Sequence, residues 1–381
     1  MNINDIVNID TISPDTNFWM VRTKNGYYHD EYLEGKFVAL GWNIITKEMI
    51  DKYNKIEKRT DKDAYREFLK DLVAKHYPNV KNPMLNINKC NRFIHEMKEN
   101  DILMIIGKKS ELITFARAGE YYEENEFTPL HEIEADKQIN EGHDRTSNVK
   151  CPYIKKRKIE VLKTVESRNV NPNLFRALVS YHGLSNTNEY GSFILSSIFS
   201  CYTWKNQLNM VFRVNKVKNI DTYDFSGFLF NSAYVLKQAD ENINIYTKTN
   251  VNSPGDIVLT IENTVSGIVH TLSNPLFIAC LAFLWTAISG GKWGNKEFKS
   301  LWQFLSERSE LEHNAKMKNA ELVNKELDNK LKEEELKLNK LKNQEYENKF
   351  KELQEYAHKL EIDNEEISNI VNLSELKSKK D

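Results

Sequence analysis

The chain has 381 residues, of which 40% are hydrophobic and 28% charged, which is enough for one large or two ordinary domains plus an extension. Its 53 Lys and Arg residues nearly cancel its 55 Asp and Glu residues, so no global field favours DNA, RNA or an anionic membrane as a partner. Any nucleic-acid surface must therefore be a local patch.

The N-terminal sequence MNINDIVNIDTISPD has acidic residues where a signal peptide needs basic ones, and it lacks a continuous apolar core. We therefore expect a protein that is not exported and that is located in the cytoplasm. The four cysteines have no paired spacing, which argues against a zinc site or a disulfide framework and favours buried, reduced thiols. They are Cys90, Cys151, Cys201 and Cys280.

Short alternating runs in the first two hundred residues predict strands that surround one or two helices. The predicted strands are residues 18–23, 36–42, 101–107, 112–122 and 157–166, and the predicted helices are 61–75 and 91–98. Strands wrapped around helices are typical of a small α+β barrel.

The order of the N-terminal segments carries a resemblance to a known family. The segments are FWMVR at 18–22, VALGW at 38–42, NRFIHEMKENDILMI at 91–105, ITFARAGEYY at 113–122 and KKRKIEVLKTVESRNV at 155–170. Over residues 15–180 the chain resembles the EVE-like branch of the PUA-like superfamily, as found at the N-termini of bacterial restriction and anti-phage proteins. The resemblance implies a β-barrel with helices, spanning 1–184, that accepts an extruded and often modified nucleobase of DNA or RNA.

An extruded base needs aromatic faces for stacking, polar groups that read its edge, and cations for the phosphates. The aromatic candidates are Trp19, Trp42, Tyr27 and Tyr28, and the edge or phosphate candidates are Arg22, Asn43 and Arg92. Ordinary core packing is the alternative role for both tryptophans. The family pattern often has a polar segment after the second tryptophan, where this chain supplies only Asn43, so the identity of the base stays open.

The densest basic cluster is the run 155–158, formed by Lys155, Lys156, Arg157 and Lys158. On a strand, successive side chains alternate between two faces, so at most two of the four point the same way. The run predicts either a solvated surface or contacts to backbone phosphates.

Residues 185–262 have the pattern of a middle α+β module, with strands predicted at 209–217 and 243–249 and a turn at 252–255. The chain lacks the sequence motifs of P-loop, zinc-protease and serine-hydrolase sites, and its nine histidines are isolated. Asp101, Glu120 and Lys137 could be read as a nuclease triad, but such triples arise by chance in a highly charged chain. We therefore predict no catalytic residues, no metal and no cofactor.

Residues 263–294 form an apolar segment whose centre is PLFIACLAFLWTAIS at 275–289. A helix needs about 20 apolar residues to cross a bilayer and this one offers roughly 15, so a buried core or oligomer helix is favoured over membrane insertion. Residues 264–272 are also weakly apolar, which allows a two-helix hairpin through 273–275.

Residues 295–381 lack proline and glycine and are rich in charge, which predicts one long helix able to form a coiled coil. Its narrow apolar stripe is Leu327, Leu331, Leu338, Leu341, Phe350, Leu353, Tyr356 and Leu360. Such a helix is marginal alone, so we expect it to pair with a second copy in a homo-oligomer, with a partner, or with the body of the protein. A solvated tail is the alternative.

These features together predict a non-enzymatic sensor of nucleic acid or of a modified base, placed by the resemblance in anti-phage defence. The C-terminal region would then be an assembly segment or a membrane effector. The alternative is a soluble scaffold or specificity subunit that recruits a separate nuclease. A weaker alternative is a hydrolase with an unrecognised site in 185–260.

Overall fold

The structure is a computed structural model that describes residues 9–124, 126–140, 150–179, 183–215, 219–250, 255–288, 341, 344–345 and 348–362. It has the predicted mixed α+β architecture, with two sheets. The chain divides into two compact units. The N-terminal unit is Asp15–Ile198, and the C-terminal unit is Met1–Pro14 together with Phe199–Asp381. The predicted boundary at residue 184 falls inside the N-terminal unit.

The described chain opens with the short strand β1 (Asp10–Thr11), which belongs to the C-terminal unit. The strands of the N-terminal unit are β2 (Phe18–Arg22), β3 (Phe37–Leu40), β4 (Ile102–Ile106), β5 (Leu112–Glu123), β6 (Lys155–Glu166) and β7 (Leu184–Asn186). Its helices are α1 (His29–Glu34), α2 (Lys47–Lys55), α3 (Arg59–His76), α4 (Pro83–Asn91), α5 (Pro129–Asn140), α6 (Leu174–Leu178) and α7 (Gly191–Ile198). A π-helical turn, Arg92–Glu96, directly continues α4.

The strands of the N-terminal unit form one six-stranded sheet in the order β3-β6-β5-β4-β2-β7. Strands β2 and β4 are parallel, and the other pairs are antiparallel. Every residue of β4 is buried, which explains why ILMII is apolar without alternation. The strands predicted at 18–23, 36–42, 101–107, 112–122 and 157–166 are confirmed to within two residues at every end.

The C-terminal unit is a five-stranded sheet in the order β1-β8-β9-β11-β10 with helices packed on it. Its further strands are β8 (Cys201–Trp204), β9 (Gln207–Val214), β10 (Ile243–Asn250) and β11 (Gly255–Asn263). Its helices are α8 (Thr222–Lys237), α9 (Gly267–Ser273) and α10 (Pro275–Ile288). The two strands predicted for the middle module are confirmed as β9 and β10, whereas most of the turn predicted at 252–255 lies outside the described residues.

Helix α10 is the centre of the core of the C-terminal unit, as the favoured prediction required. Phe277, Leu281, Leu284 and Trp285 are all fully buried in it. Helix α9 precedes it, but the two helices meet at about a right angle and do not form the antiparallel hairpin that the sequence allowed. Among the described helices, none is long and apolar enough by itself to span a bilayer, and only α9 and α10 taken together, bent by 82°, reach that length and composition.

The end of the described chain packs on the C-terminal unit. Residues 348–359 are helical, and Leu353, Tyr356 and Leu360 lie in the core of the unit. A Cβ atom at Gly227 of α8 would come within 2.5 Å of the Tyr356 ring, so the two helices approach closely. This part of the predicted stripe therefore pairs with the body of the protein. Leu327, Leu331 and Leu338 lie outside the described residues.

The four cysteines are free and buried, which confirms the prediction of reduced thiols. Burial raises the pKa of the Cys90 thiol to about 11 and that of the Cys151 thiol to about 12. The neutral thiol is a poor nucleophile and a poor metal ligand.

Candidate nucleic-acid interface

The loop that follows β3 carries Trp42, the main base-stacking candidate. Trp42 is half-buried, and its backbone has φ of +62°. Bulky residues rarely adopt this left-handed conformation, and holding one there costs on the order of 1–3 kcal/mol. The surrounding structure must therefore fix this loop firmly.

One side of the loop is held by the carboxylate of Glu132, a buried residue of α5. The amide of Trp42 donates to Glu132 Oε1 at 2.6 Å, and the amide of Asn43 donates to Oε2 at 2.9 Å. The Tyr77 hydroxyl also donates to Oε2, at 2.7 Å. Burial and the neighbouring Glu132 both raise the pKa of Tyr77, so its hydroxyl keeps the proton that it donates.

The other side of the loop is held by Lys155 of β6, which is fully buried. Its ammonium donates to the carbonyl oxygens of Trp42 and Ile45, each at 2.8 Å. An anion therefore binds the N–H groups of the loop while a cation binds its C=O groups. Because hydrogen bonds to charged groups are the strong ones, this arrangement can maintain the unusual backbone of Trp42.

A cationic side chain of α4 lies over the Trp42 ring, and a second cation follows on the next turn. Lys89 places its Nζ 5.2 Å from the centroid of the indole. Burial lowers the pKa of Lys89, and the charge of Arg92 lowers it further. Arg92 is half-exposed and lies 3.8 Å from Glu96. The site thus combines a half-buried indole, packed against the core of the unit, with positive charge; nucleic-acid strands bind to aromatic rings and cations in combination.

Asn43 is close to Trp42, but its side chain is buried and used for structure. Its Nδ2 donates to the carbonyl of Pro152 at 2.7 Å, and its Oδ1 accepts from the amide of Ile154 at 3.1 Å. The prediction that Asn43 reads a base edge is therefore corrected: in this structure it ties the Trp42 loop to the chain before β6.

Two of the predicted aromatic contacts are core residues instead, and a third packs against them. Trp19 is 2% exposed, and its Nε1 donates to Asp101 Oδ2 at 2.8 Å. Tyr28 is fully buried and stacks on Tyr32. Tyr27 is half-buried, with its ring edge-on to Tyr28. Neither Trp19 nor Tyr28 offers a free face, so both are corrected from base-stacking to core packing, and Tyr27 mainly packs beside them.

The basic run 155–158 is also corrected, because three of its four cations are buried. Arg157 donates to four backbone carbonyls, those of Phe93, Ile94, Met97 and Gly119. Lys156 pairs with Glu124 and lies over the Phe37 ring. Lys158 is exposed and pairs with Glu120 at 3.0 Å. The first three side chains cannot contact phosphates in this structure.

Arg157 has a clear structural role. The first three of its carbonyl partners belong to the end of the π-helical turn and to the residue after it. The end of a helix leaves carbonyl groups without partners and carries partial negative charge. Arg157 satisfies these groups, so the cation stabilises a helix terminus instead of binding a ligand.

Arg22 lies elsewhere, at the end of β2, where its guanidinium donates to the carbonyl of Leu178. It lines a cleft of about 400 Å³ between the loops that follow β2 and β4. None of the residues that line this cleft belongs to the Trp42 loop. Arg22 is therefore not a part of the Trp42 site.

The structure adds Glu132, Tyr77 and Lys89, which the sequence did not indicate. Glu132 is separated from Trp42 by 90 residues in the chain. No local sequence pattern therefore connects it with the loop that it holds. One signal was present. A Cβ atom at Gly41 would come within 2.4 Å of Glu132 Oε1, and a glycine before Trp42 is what such a close approach requires.

Among the residues that the structure describes, no group of three or more His, Cys, Asp or Glu side chains could hold a metal ion. Comparisons of the chain with family models, with curated proteins and with solved structures found no match. The functional assignment therefore depends on the geometry of the chain itself.

Proposed function

We propose that the N-terminal unit is a non-enzymatic nucleic-acid sensor that stacks an extruded, modified base on Trp42. The observation that carries this proposal is the clamped Trp42 loop, in which Glu132 and Lys155 hold a left-handed tryptophan between them. Outliers of this kind collect at binding sites, where the surrounding structure maintains a conformation that binding requires.

The cations beside the ring support the same function. Lys89 lies over the indole and Arg92 is near Lys89, so both could neutralise phosphates next to a stacked base. The nucleotide would be recognised by stacking and charge, because the amide groups of Trp42 and Asn43 already bind Glu132. The place of the protein in anti-phage defence rests on the family resemblance described above.

The other roles inferred from the sequence remain predictions. Burial of α10 gives a membrane-effector role no support. A scaffold that recruits a separate nuclease would co-purify with that enzyme, and a hydrolase in 185–260 would show turnover that depends on a divalent metal.

The proposal can be tested by fluorescence anisotropy with the full chain and labelled duplexes. One duplex is fully matched, and others carry a mismatched or chemically modified base, which is easier to extrude. Trp42→Gly removes the indole, and glycine suits the φ of +62°. We expect this variant to weaken binding of the modified duplex by about 1–3 kcal/mol. Trp42→Phe, which keeps a ring, should lose less.

Tyr246→Ala is the matched control, because it removes a 49% exposed aromatic side chain of β10, which belongs to the C-terminal unit. Binding by the control should equal that of the unmodified chain. Thermal unfolding shows whether each variant folds. A Trp42→Gly protein that folds and binds every duplex like the unmodified chain would rule out base stacking at this site.

A further inference from the structure

The ends of two adjacent parallel strands form a second candidate site in the N-terminal unit. Strands β2 and β4 pair in parallel, with Arg22 opposite Ile106. Their carboxyl ends therefore meet at one edge of the sheet, which is where open α/β sheets bind ligands. The loops that follow enclose the cleft of about 400 Å³. The cleft is lined by Arg22, Thr23, Asn25, Gly26, Ile106, Gly107, Lys108, Lys109 and Ser110.

The two loops approach each other closely at a glycine. A Cβ atom at Gly26 would come within 2.2 Å of the backbone of Lys108, and the φ of Gly26 is +85°. The Thr23 hydroxyl donates to the carbonyl of Ile106 at 2.6 Å, which ties the bases of the loops together. The cleft is thus a built feature of the unit and not a chance gap between mobile side chains.

The lining is strongly basic. Arg22, Lys108 and Lys109 contribute positive charge, and Ser110 contributes a hydroxyl group. Lys108 and Lys109 are exposed, and no ion pair joins either of them to an acidic side chain within the described ranges. A fourth cation, Lys24, lies in the first loop and pairs with Asp136 of α5 at 2.8 Å.

The lining also excludes some ligands. None of the residues that line the cleft is aromatic, and Ile106 is the one large apolar side chain among them. A nucleobase would find no stacking face there. A compact anion would find several cations and a hydroxyl group around a glycine-containing backbone, which is how proteins bind phosphate groups.

We propose that this cleft binds a phosphate group, either of a nucleic-acid backbone or of a free phosphate compound. In that case the cleft supplies the phosphate contacts that the sequence assigned to the run 155–158. The proposal does not require that Trp42 binds a base. Lys24, which pairs with Asp136 and is not among the lining residues, would add a further cation near the cleft if that pair opened.

The test uses the full chain and two probes, inorganic pyrophosphate by calorimetry and a single-stranded oligonucleotide by anisotropy. The cleft variant is Lys108→Ala with Lys109→Asn, since asparagine tolerates the left-handed φ of Lys109. We expect its binding to weaken about tenfold or more, because two charge-assisted contacts are lost. The plot of the logarithm of the oligonucleotide binding constant against the logarithm of salt concentration should become shallower, with a slope smaller by about 1 to 2.

The matched control is Lys70→Ala with Lys158→Ala, which removes the same charge from α3 and β6, outside the cleft. It should bind both probes like the unmodified chain. Asp136→Asn should bind pyrophosphate more tightly, because it releases Lys24. Trp42→Gly should leave pyrophosphate binding unchanged, which separates this site from the base-stacking site.

The two probes distinguish the sources of the phosphate. If the cleft variant loses both probes, the site accepts a free phosphate compound. If it loses the oligonucleotide while the unmodified chain does not bind pyrophosphate, the site is specific for a nucleic-acid backbone. Equal weakening in the cleft and control variants, or no binding of either probe by the unmodified chain, would overturn the proposal.

Discussion

The run 155–158 and the cleft between the β2 and β4 loops are both rich in cations, yet the fold places them differently. In the run, consecutive residues of one strand carry the charge, and three of the four side chains are buried. In the cleft, the charges come from two loops more than eighty residues apart, and Lys108 and Lys109 remain exposed.

The difference lies in the backbone carbonyl groups near each set of cations, and in whether those groups need the cations as hydrogen-bond donors. Strand β6 passes the end of the π-helical turn and the Trp42 loop, where carbonyl groups need donors, and Arg157 and Lys155 supply them. The cleft loops make their own turns, as when the amide of Ser110 donates to the carbonyl of Gly107. Their lysines are therefore available to a ligand. Density of charge in a sequence is thus a poor guide to a binding surface.

The comparison predicts that a lysine introduced into the core, where no carbonyl groups await a donor, is strongly destabilising. Leu284→Lys places an ammonium in the fully buried centre of α10. We expect more than about 4 kcal/mol of destabilisation and loss of folded protein, because an unpaired charge in the core is among the most damaging changes. Thermal unfolding and the soluble fraction measure this.

Val269→Lys, at a 75% exposed position of α9, is the control and should leave folding unchanged. A folded Leu284→Lys protein that no longer binds liposomes, where the unmodified chain does, would show that α10 is a membrane segment and not a core helix.

The next largest effect is expected at Arg157. Arg157→Ala leaves four backbone carbonyls without their donor, which should lower the free energy of unfolding by about 3–5 kcal/mol. Lys158→Ala, the next residue of the same strand, removes an exposed ion pair and should change stability by less than about 1 kcal/mol. Urea unfolding of both variants measures the contrast. Equal losses would mean that burial does not separate these two cations.

The smallest of these effects is expected at Lys155. Lys155→Met has a similar length; it removes the lysine donor from the carbonyl of Ile45 and leaves the carbonyl of Trp42 with only the amide of Ile45, while it also removes the need to bury a charge. These terms oppose each other, so we expect a loss of about 1–3 kcal/mol. Binding of the modified-base duplex should also weaken, since the Trp42 loop loses one of its two clamps. Unchanged binding with reduced stability would make Lys155 a purely structural residue.

Several elements of the fold could be predicted from the local sequence, because the spacing of apolar residues differs between strands and helices. The alternation or continuous apolarity of 101–107, 112–122 and 243–249 predicted β4, β5 and β10, and the length of 275–289 favoured a core helix over a span. Where the pattern became helical, as at 61–75, the helix α3 is present.

The candidate site was less predictable. Trp42 is half-buried, whereas Trp19 and Tyr28, which the sequence also offers as stacking residues, are core residues. Glu132 was missed because it reaches the Trp42 loop across 90 residues of chain. Aromatic residues next to strands look alike in sequence whether they pack inward or face a pocket.

The sequence by itself determined the fold class, five of the six strands of the N-terminal sheet, strands β9 and β10 of the other sheet, the reduced state of the cysteines and the core position of α10. These follow from periodicity, composition and apolar length, which act over a few turns or one strand. The tertiary structure alone decided which cations are buried, which tryptophan is accessible, and that the loops after β2 and β4 meet in one basic cleft. The physical reason is that the partner of each of these groups is a backbone carbonyl, a carboxylate or a loop that lies far away in the chain, and only strand pairing brings it within hydrogen-bonding distance.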